Sequence, residues 1–130
     1  MFYEVILLAA GQGKRMKAGK NKVFLELSGV PLIVKTIKVF DEDPYCKRII
    51  MPINPNEQEL FEECLAPYSF TKELVFAQGG RERQDSVHNG LQHLTDDEGI
   101  VLVHDGARPF VTIELIRELV SAVDEHAAAI

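Results

Sequence analysis

The chain has little of what marks a secreted, membrane-spanning or nucleic-acid-binding protein. Its 130 residues hold two cysteines, Cys46 and Cys64, at a spacing that matches no zinc or redox motif. Two free thiols in a reducing cytoplasm are therefore expected. No apolar run is long enough to span a bilayer. The N-terminus lacks the basic stretch of a secretory signal and enters a strand at once. Positive charge is also short, with 14 Lys+Arg against 20 Asp+Glu and a net charge of −6. That balance argues against the wide basic face of a duplex-binding domain. Repeats, low-complexity tracts and linkers are missing. The four histidines, His88, His93, His104 and His126, show no metal-ligand pairing. The G-x-x-x-x-G-K-[ST] spacing of a P-loop is absent. Gly11 and Gly13 begin a G-x-G dinucleotide fingerprint, but Met16 stands where its third glycine should be.

What is present suits one globular domain with a real core: 46% hydrophobic and 26% charged residues. Strand and helix patterns alternate. Phe2–Leu8 reads as a strand. Pro31 opens a helix with Ile33, Val34, Ile37 and Phe40 on one side, and Asp43-Pro44 stops it. Arg48–Ile53 is a second strand. Asn54 caps a helix with Pro55 at its first position, Glu57 and Glu59 in its first turn and Leu60, Phe61, Cys64 and Leu65 inward. Glu73–Ala77 is a third strand. Gly79-Gly80 turns into a helix with Val87, Leu91 and Leu94 at helical spacing. Gly99–His104 is a fourth strand, and Thr112 caps a last helix that turns Ile116, Leu119, Val120 and Val123 inward. Such alternation predicts a doubly wound, mostly parallel α/β sheet with helices on both faces. Ligands of such sheets sit beyond the strands' carboxyl ends, where strand order reverses.

Three segments follow strand ends and should converge on that rim. The first is Ala9-Ala10-Gly11-Gln12-Gly13 with Lys14, Arg15, Lys17, Lys20 and Lys22 behind it. It reads either as a tight connection or as a phosphate-holding loop, since glycines admit a close backbone approach and clustered cations repel unless an anion lies among them. Gly19 and Asn21, interleaved with Lys20 and Lys22, suggest a loop that wraps over a ligand. The second segment, Gly79-Gly80-Arg81-Glu82-Arg83-Gln84-Asp85-Ser86, is either a plain helix start with Asp85 or Ser86 exposed, or a donor set for a base edge or phosphate. The third is His104-Asp105-Gly106-Ala107-Arg108-Pro109. Its Asp105 reads as a Mg²⁺ ligand or as an Asx turn closed by Gly106, with His104 beside it as an orienting group.

In this order the three segments closely resemble the bacterial 2-C-methyl-D-erythritol 4-phosphate cytidylyltransferases of the non-mevalonate isoprenoid pathway. The likeness runs through Leu8–Met16, Lys22–Leu27 with Gly29 and Pro31, Gly79-Gly80 to Val87, and Val103–Phe110. It implies a Rossmann-like nucleotidyltransferase fold of the nucleotide-diphospho-sugar transferase type. It also implies transfer of CMP from CTP to methylerythritol phosphate with release of pyrophosphate. Arg15 and Lys22 would then be catalytic. Ala9, Ala10, Gly11, Gly13, Lys14, Gly80, Arg81, Ser86 and Ala107 would bind the nucleotide, and Asp105 would hold Mg²⁺.

Three departures accompany the likeness. Asn21 stands where the family usually has Pro, and Arg81 where an acid is common after the double glycine. The family also continues past Ile130, so residues 1–130 read as the N-terminal part of a single domain, with Ile130 beginning a further strand. The remainder normally brings a dimer-building arm, most of the sugar-phosphate site and another carboxylate near the metal. A homodimer in the cytoplasm, with no nucleic-acid or membrane partner, is the corresponding expectation for the complete protein. The alternatives are a cytidylyltransferase for another polyol phosphate such as ribitol 5-phosphate, a nucleotide-binding fragment without turnover, and a glycosyltransferase. Against the last, the only D-x-D, Asp41-Glu42-Asp43, ends a helix.

Overall fold

Strand β1 (Tyr3–Leu8) lies inside a parallel sheet, and its residues are buried along nearly their whole length. The computed structural model describes residues 2–11, 21–95 and 99–126. After β1 come a short hairpin, β2 (Glu26–Leu27) and β3 (Val30–Pro31), then helix α1 (Leu32–Asp41) and β4 (Cys46–Ile53). They are followed by α2 (Gln58–Leu65), β5 (Glu73–Gln78), α3 (Arg83–Leu91), β6 (Ile100–Asp105) and α4 (Ile113–His126). The main sheet has the order β5-β4-β1-β6, with every pair parallel. The chain steps outward from β1 through β4 to β5, then returns to the other side of β1 for β6. Strand order therefore reverses between β1 and β6.

Alternation along β1 explains the two layers. Tyr3, Val5 and Leu7 join α1, α2 and α4 in the larger core through Ile33, Ile37, Phe40, Phe61, Ile116 and Val120. Ile6 points to the other face, with Ile50 and Ala77. There α3 covers it, and Gly90 lies directly against Ile6. Crossovers of one hand must change face when the direction of winding reverses, which puts α1 and α2 on one side and α3 on the other. Cys46 and Cys64 are free thiols; burial pushes the Cys46 thiol up to about 12.

Several sequence expectations change in detail. In α2 only Phe61 is buried, while Leu60 is half exposed. Cys64 and Leu65 are half-buried and pack against the same core beside Phe61. In α3 the residues buried on the sheet are Ser86 and Gly90, whereas Val87 is half-buried and Leu91 exposed. The helix approaches β1 closely through small residues four apart, so its apolar residues flank the contact. Leu94 lies past the end of α3 and packs against Ile6, Ile50 and Ala77. The hairpin has no counterpart in the periodicity. Its turn, Ser28-Gly29, has φ of 55° and 79°, the left-handed pair that a two-residue hairpin loop requires.

Candidate functional site

The register aligns the strand ends that matter. Leu8 lies opposite Asp105, and Ile53 lies opposite Gln78, so the segments that follow emerge side by side. Gly106 N–H donates to the Leu8 carbonyl at 2.9 Å, and a Cβ there would press on Ile33 and the Leu8 carbonyl. Gly79 N–H donates to the Ile53 carbonyl at 2.6 Å, and a Cβ on Gly79 would lie 2.6 Å from that of Ala10. The segments after β5 and β6 both close on Leu8–Ala10, as the strand alternation predicts.

Each segment is held by its own bonds. Ala9 is buried; its N–H donates to Pro52 and its carbonyl accepts from Asn21, so both backbone groups are engaged within the protein. Gly11 is exposed at φ 61°, a conformation that glycine adopts without strain. Gly13, Lys14 and Arg15, with Lys17, Gly19 and Lys20, lie outside the described residues. Lys22 opens a single 3₁₀ turn, Lys22–Phe24, capped by Asn21, whose Oδ1 accepts from Val23 N–H at 3.2 Å.

Beyond β5, Ser86 is buried and not exposed, and its Oγ accepts from Gly80 N–H at 2.9 Å. Asp85 accepts from Glu82 N–H at 3.1 Å and so caps α3. Arg81 is exposed at the same rim, next to the positive end of the helix dipole.

Beyond β6, Asp105 Oδ1 accepts from Ala107 N–H at 2.9 Å in an Asx turn. Arg108 Nε stands 3.6 Å from Asp105 Oδ2. Buried Thr36 donates to the Gly106 carbonyl at 2.8 Å. His104 does not orient the Asp105 carboxylate. Its Nε2 lies 2.9 Å from the Arg108 carbonyl, and because a carbonyl only accepts, that nitrogen carries the proton. The imidazole also packs against Phe40, with ring centroids 5.7 Å apart.

Lys22, Asp105, Ala107 and Arg108 share the wall of one open cavity of about 520 Å³, completed by His104, Pro109, Phe110, Val111 and Leu115. The structure thus brings Lys22 to Asp105 and Ala107, while Gly80, Arg81 and Ser86 stand on the far side of Ala10. Two cations and one carboxylate around a cavity suit a polyphosphate with a divalent ion. Among the described residues no group of three or more His, Cys, Asp or Glu could hold a metal. A single carboxylate is compatible with Mg²⁺ chemistry, because that ion uses few protein carboxylates and takes its other ligands from phosphate and water. The sequence reading put Asn21 in a loop that wraps over a ligand, whereas its side chain is buried and bonded within the protein; it gave Thr36 no part. A lone polar side chain of this kind has no periodicity for a pattern to show.

Comparison with known proteins gives a consistent picture. The family model for 2-C-methyl-D-erythritol 4-phosphate cytidylyltransferase matches residues 3–130. A protein of that name from Geobacillus thermodenitrificans is 56% identical over all 130 residues, and one from Bacillus mycoides is 53% identical over 128. The chain spans 57% and 56% of their lengths. A solved Francisella tularensis 2-C-methyl-D-erythritol 4-phosphate cytidylyltransferase superposes with a TM-score of 0.73 at 28% identity, covering 95% of this chain and 52% of that one. The 4-diphosphocytidyl-2C-methyl-D-erythritol synthase of Anaerococcus prevotii gives 0.75 at 26%, covering 94% and 50%.

Proposed function

Since the chain belongs to the 2-C-methyl-D-erythritol 4-phosphate cytidylyltransferase family, we propose that its strand-end rim binds CTP and takes part in transfer of CMP to methylerythritol phosphate. The observation that carries this reading is the meeting of three strand-end segments at the β1/β6 reversal, with Lys22, Asp105 and Ala107 around one cavity.

In the proposed reaction a phosphate oxygen of the acceptor attacks the α-phosphorus of CTP. A new P–O bond forms in line as the bond to the β-phosphate breaks, and pyrophosphate leaves with the electron pair. The acceptor phosphate is already anionic at neutral pH, so no general base is needed. The protein's task is to position the reactants and to oppose the charge that gathers on the α-phosphate. Lys22 and Arg15 are assigned to that charge. Ala10, Gly11, Gly13 and Lys14 would follow the triphosphate, with Ala9 as the buried base of their loop. Gly80 and Arg81 would meet the cytosine, Ser86 would hold the Gly80 backbone in place, and Ala107 would lie near the ribose. Asp105 would hold Mg²⁺, which when bound neutralises phosphate charge. These ligands are soluble phosphates, so a cytoplasmic enzyme is the setting proposed. No helix among the described residues is long and apolar enough to cross a membrane. A homodimer is part of the same proposal for the complete protein.

The test is calorimetric titration of the chain with CTP and Mg²⁺, followed by phosphorus NMR on adding methylerythritol phosphate or ribitol 5-phosphate. CTP should bind in preference to ATP, and pyrophosphate should appear with the first acceptor. Losing one charge-stabilising donor costs about two to three orders of magnitude in rate, and Lys22→Ala should show a loss of that size. Binding without pyrophosphate would leave a nucleotide-binding module. No binding would remove the proposal.

A further inference from the structure

Asn21 is 5% exposed, and all of its hydrogen-bonding groups are aimed at structure around Lys22. Its Nδ2 donates to the Ala9 carbonyl at 2.7 Å and to Glu57 Oε1 at 3.1 Å. Its Oδ1 accepts from Val23 N–H at 3.2 Å. One side chain thereby joins the end of β1, the turn after β4 and the 3₁₀ turn that begins with Lys22. The chain closes tightly over it, since a Cβ on Gly11 would lie 2.5 Å from Asn21 Cγ. Two donors and one acceptor are needed at this point, and a short carboxamide supplies both. Aspartate has the same shape but would set a carboxylate against a carbonyl and the Glu57 carboxylate. Proline can make none of these side-chain bonds. Val23, next to Lys22, is buried in the core, so the Lys22 backbone is fixed from both sides while its side chain stays exposed at the cavity.

We propose that Asn21 is a positioning residue: its hydrogen bonds to Ala9, Val23 and Glu57 aim Lys22 at the nucleotide. The inference rests on the reading that Lys22 meets the triphosphate. Neighbours that act through one another are non-additive in a double-mutant cycle, whereas a general loss of fold adds in either background.

The experiment measures CTP affinity with Mg²⁺ by calorimetry for the wild-type chain, Lys22→Ala, Asn21→Asp and the double variant, with a thermal melt of each. Asn21→Asp should weaken CTP binding by about tenfold in the wild-type background and less than about twofold in the Lys22→Ala background. Adding Glu57→Gln to Asn21→Asp should recover part of the loss, because the carboxamide it introduces can donate to the new carboxylate. If Asn21→Asp does not fold, Glu57→Ala gives the milder break. It should weaken CTP by about threefold, again only when Lys22 is present. Equal losses in both backgrounds, or no loss from either variant where Lys22→Ala is weak, overturn the positioning role alone. Full affinity in Lys22→Ala overturns the reading of Lys22 and this inference with it.

Discussion

Gly80 has no room for a side chain: a Cβ would be driven into Asp85, against its Cβ and backbone. Nothing flexible stands there to yield, because Asp85 caps α3 and Ser86 accepts the Gly80 N–H. Gly80→Ala should therefore destabilise the fold by about 1–3 kcal/mol, the usual size of an overpacked site. It should also lower CTP affinity, since the strained turn is the one that would present the base contact. Calorimetric titration beside a denaturant melt checks both. A variant that loses stability and keeps full CTP affinity would take Gly80 out of the nucleotide site. Gly79 and Gly106 were legible in the sequence as turn residues. Their closeness to Ala10 and Leu8 was not, because that follows from strand register, which no local pattern encodes.

Elements were read well where one face is apolar and poorly where small or polar residues make the contact. Apolar, β-branched runs marked β1, β4 and β6, and the apolar spacing of α1 put Ile33, Val34, Ile37 and Phe40 inward, as found. Helix α3 misled the reading, because its sheet contact is Ser86 and Gly90, residues that a hydrophobic pattern ignores. The hairpin was missed for a different reason: two strands of two residues are too short for any period. Its turn offers a clean test. Ser28 sits at φ 55°, where an L-residue with a Cβ is disfavoured, and asparagine tolerates that region better. Ser28→Asn, giving Asn-Gly at the turn, should raise stability by about 0.5 kcal/mol in a denaturant melt. No gain would mean that the serine makes compensating contacts.

At the scale of the whole molecule, the Asp43 network and the candidate site lie at opposite ends of the parallel strands. The candidate site occupies the carboxyl ends. At the amino ends, fully buried Asp43 receives the Tyr3 hydroxyl at 2.7 Å, Tyr45 N–H at 3.0 Å and both terminal nitrogens of Arg117. The Arg117 guanidinium lies over the Tyr45 ring, 4.6 Å from its centroid. Burial works to raise the Asp43 pKa, but the hydrogen bonds from Arg117 and Tyr3 outweigh it and hold the carboxyl below its usual 3.8. A carboxyl whose folded pKa is depressed stabilises fully above its unfolded value and loses that contribution as pH falls through the folded one. On the alkaline side, burial and the bond to Asp43 raise the Tyr3 pKa above 10, so stability drains as the unfolded chain ionises there and the folded one does not. Asp43→Asn should therefore cost about 2 kcal/mol at neutral pH, the worth of hydrogen bonds to a charge. It should also flatten the fall in stability below pH 3.8. A strand of six residues rises about 20 Å, so although Phe40 packs on both Tyr3 and His104, effects at the two ends should be nearly additive. CTP affinity, measured by calorimetry well below the melting temperature, should stay at the wild-type value in Asp43→Asn. A loss of affinity there would mean that the sheet transmits strain along β1, and that the rim is tuned from its far end.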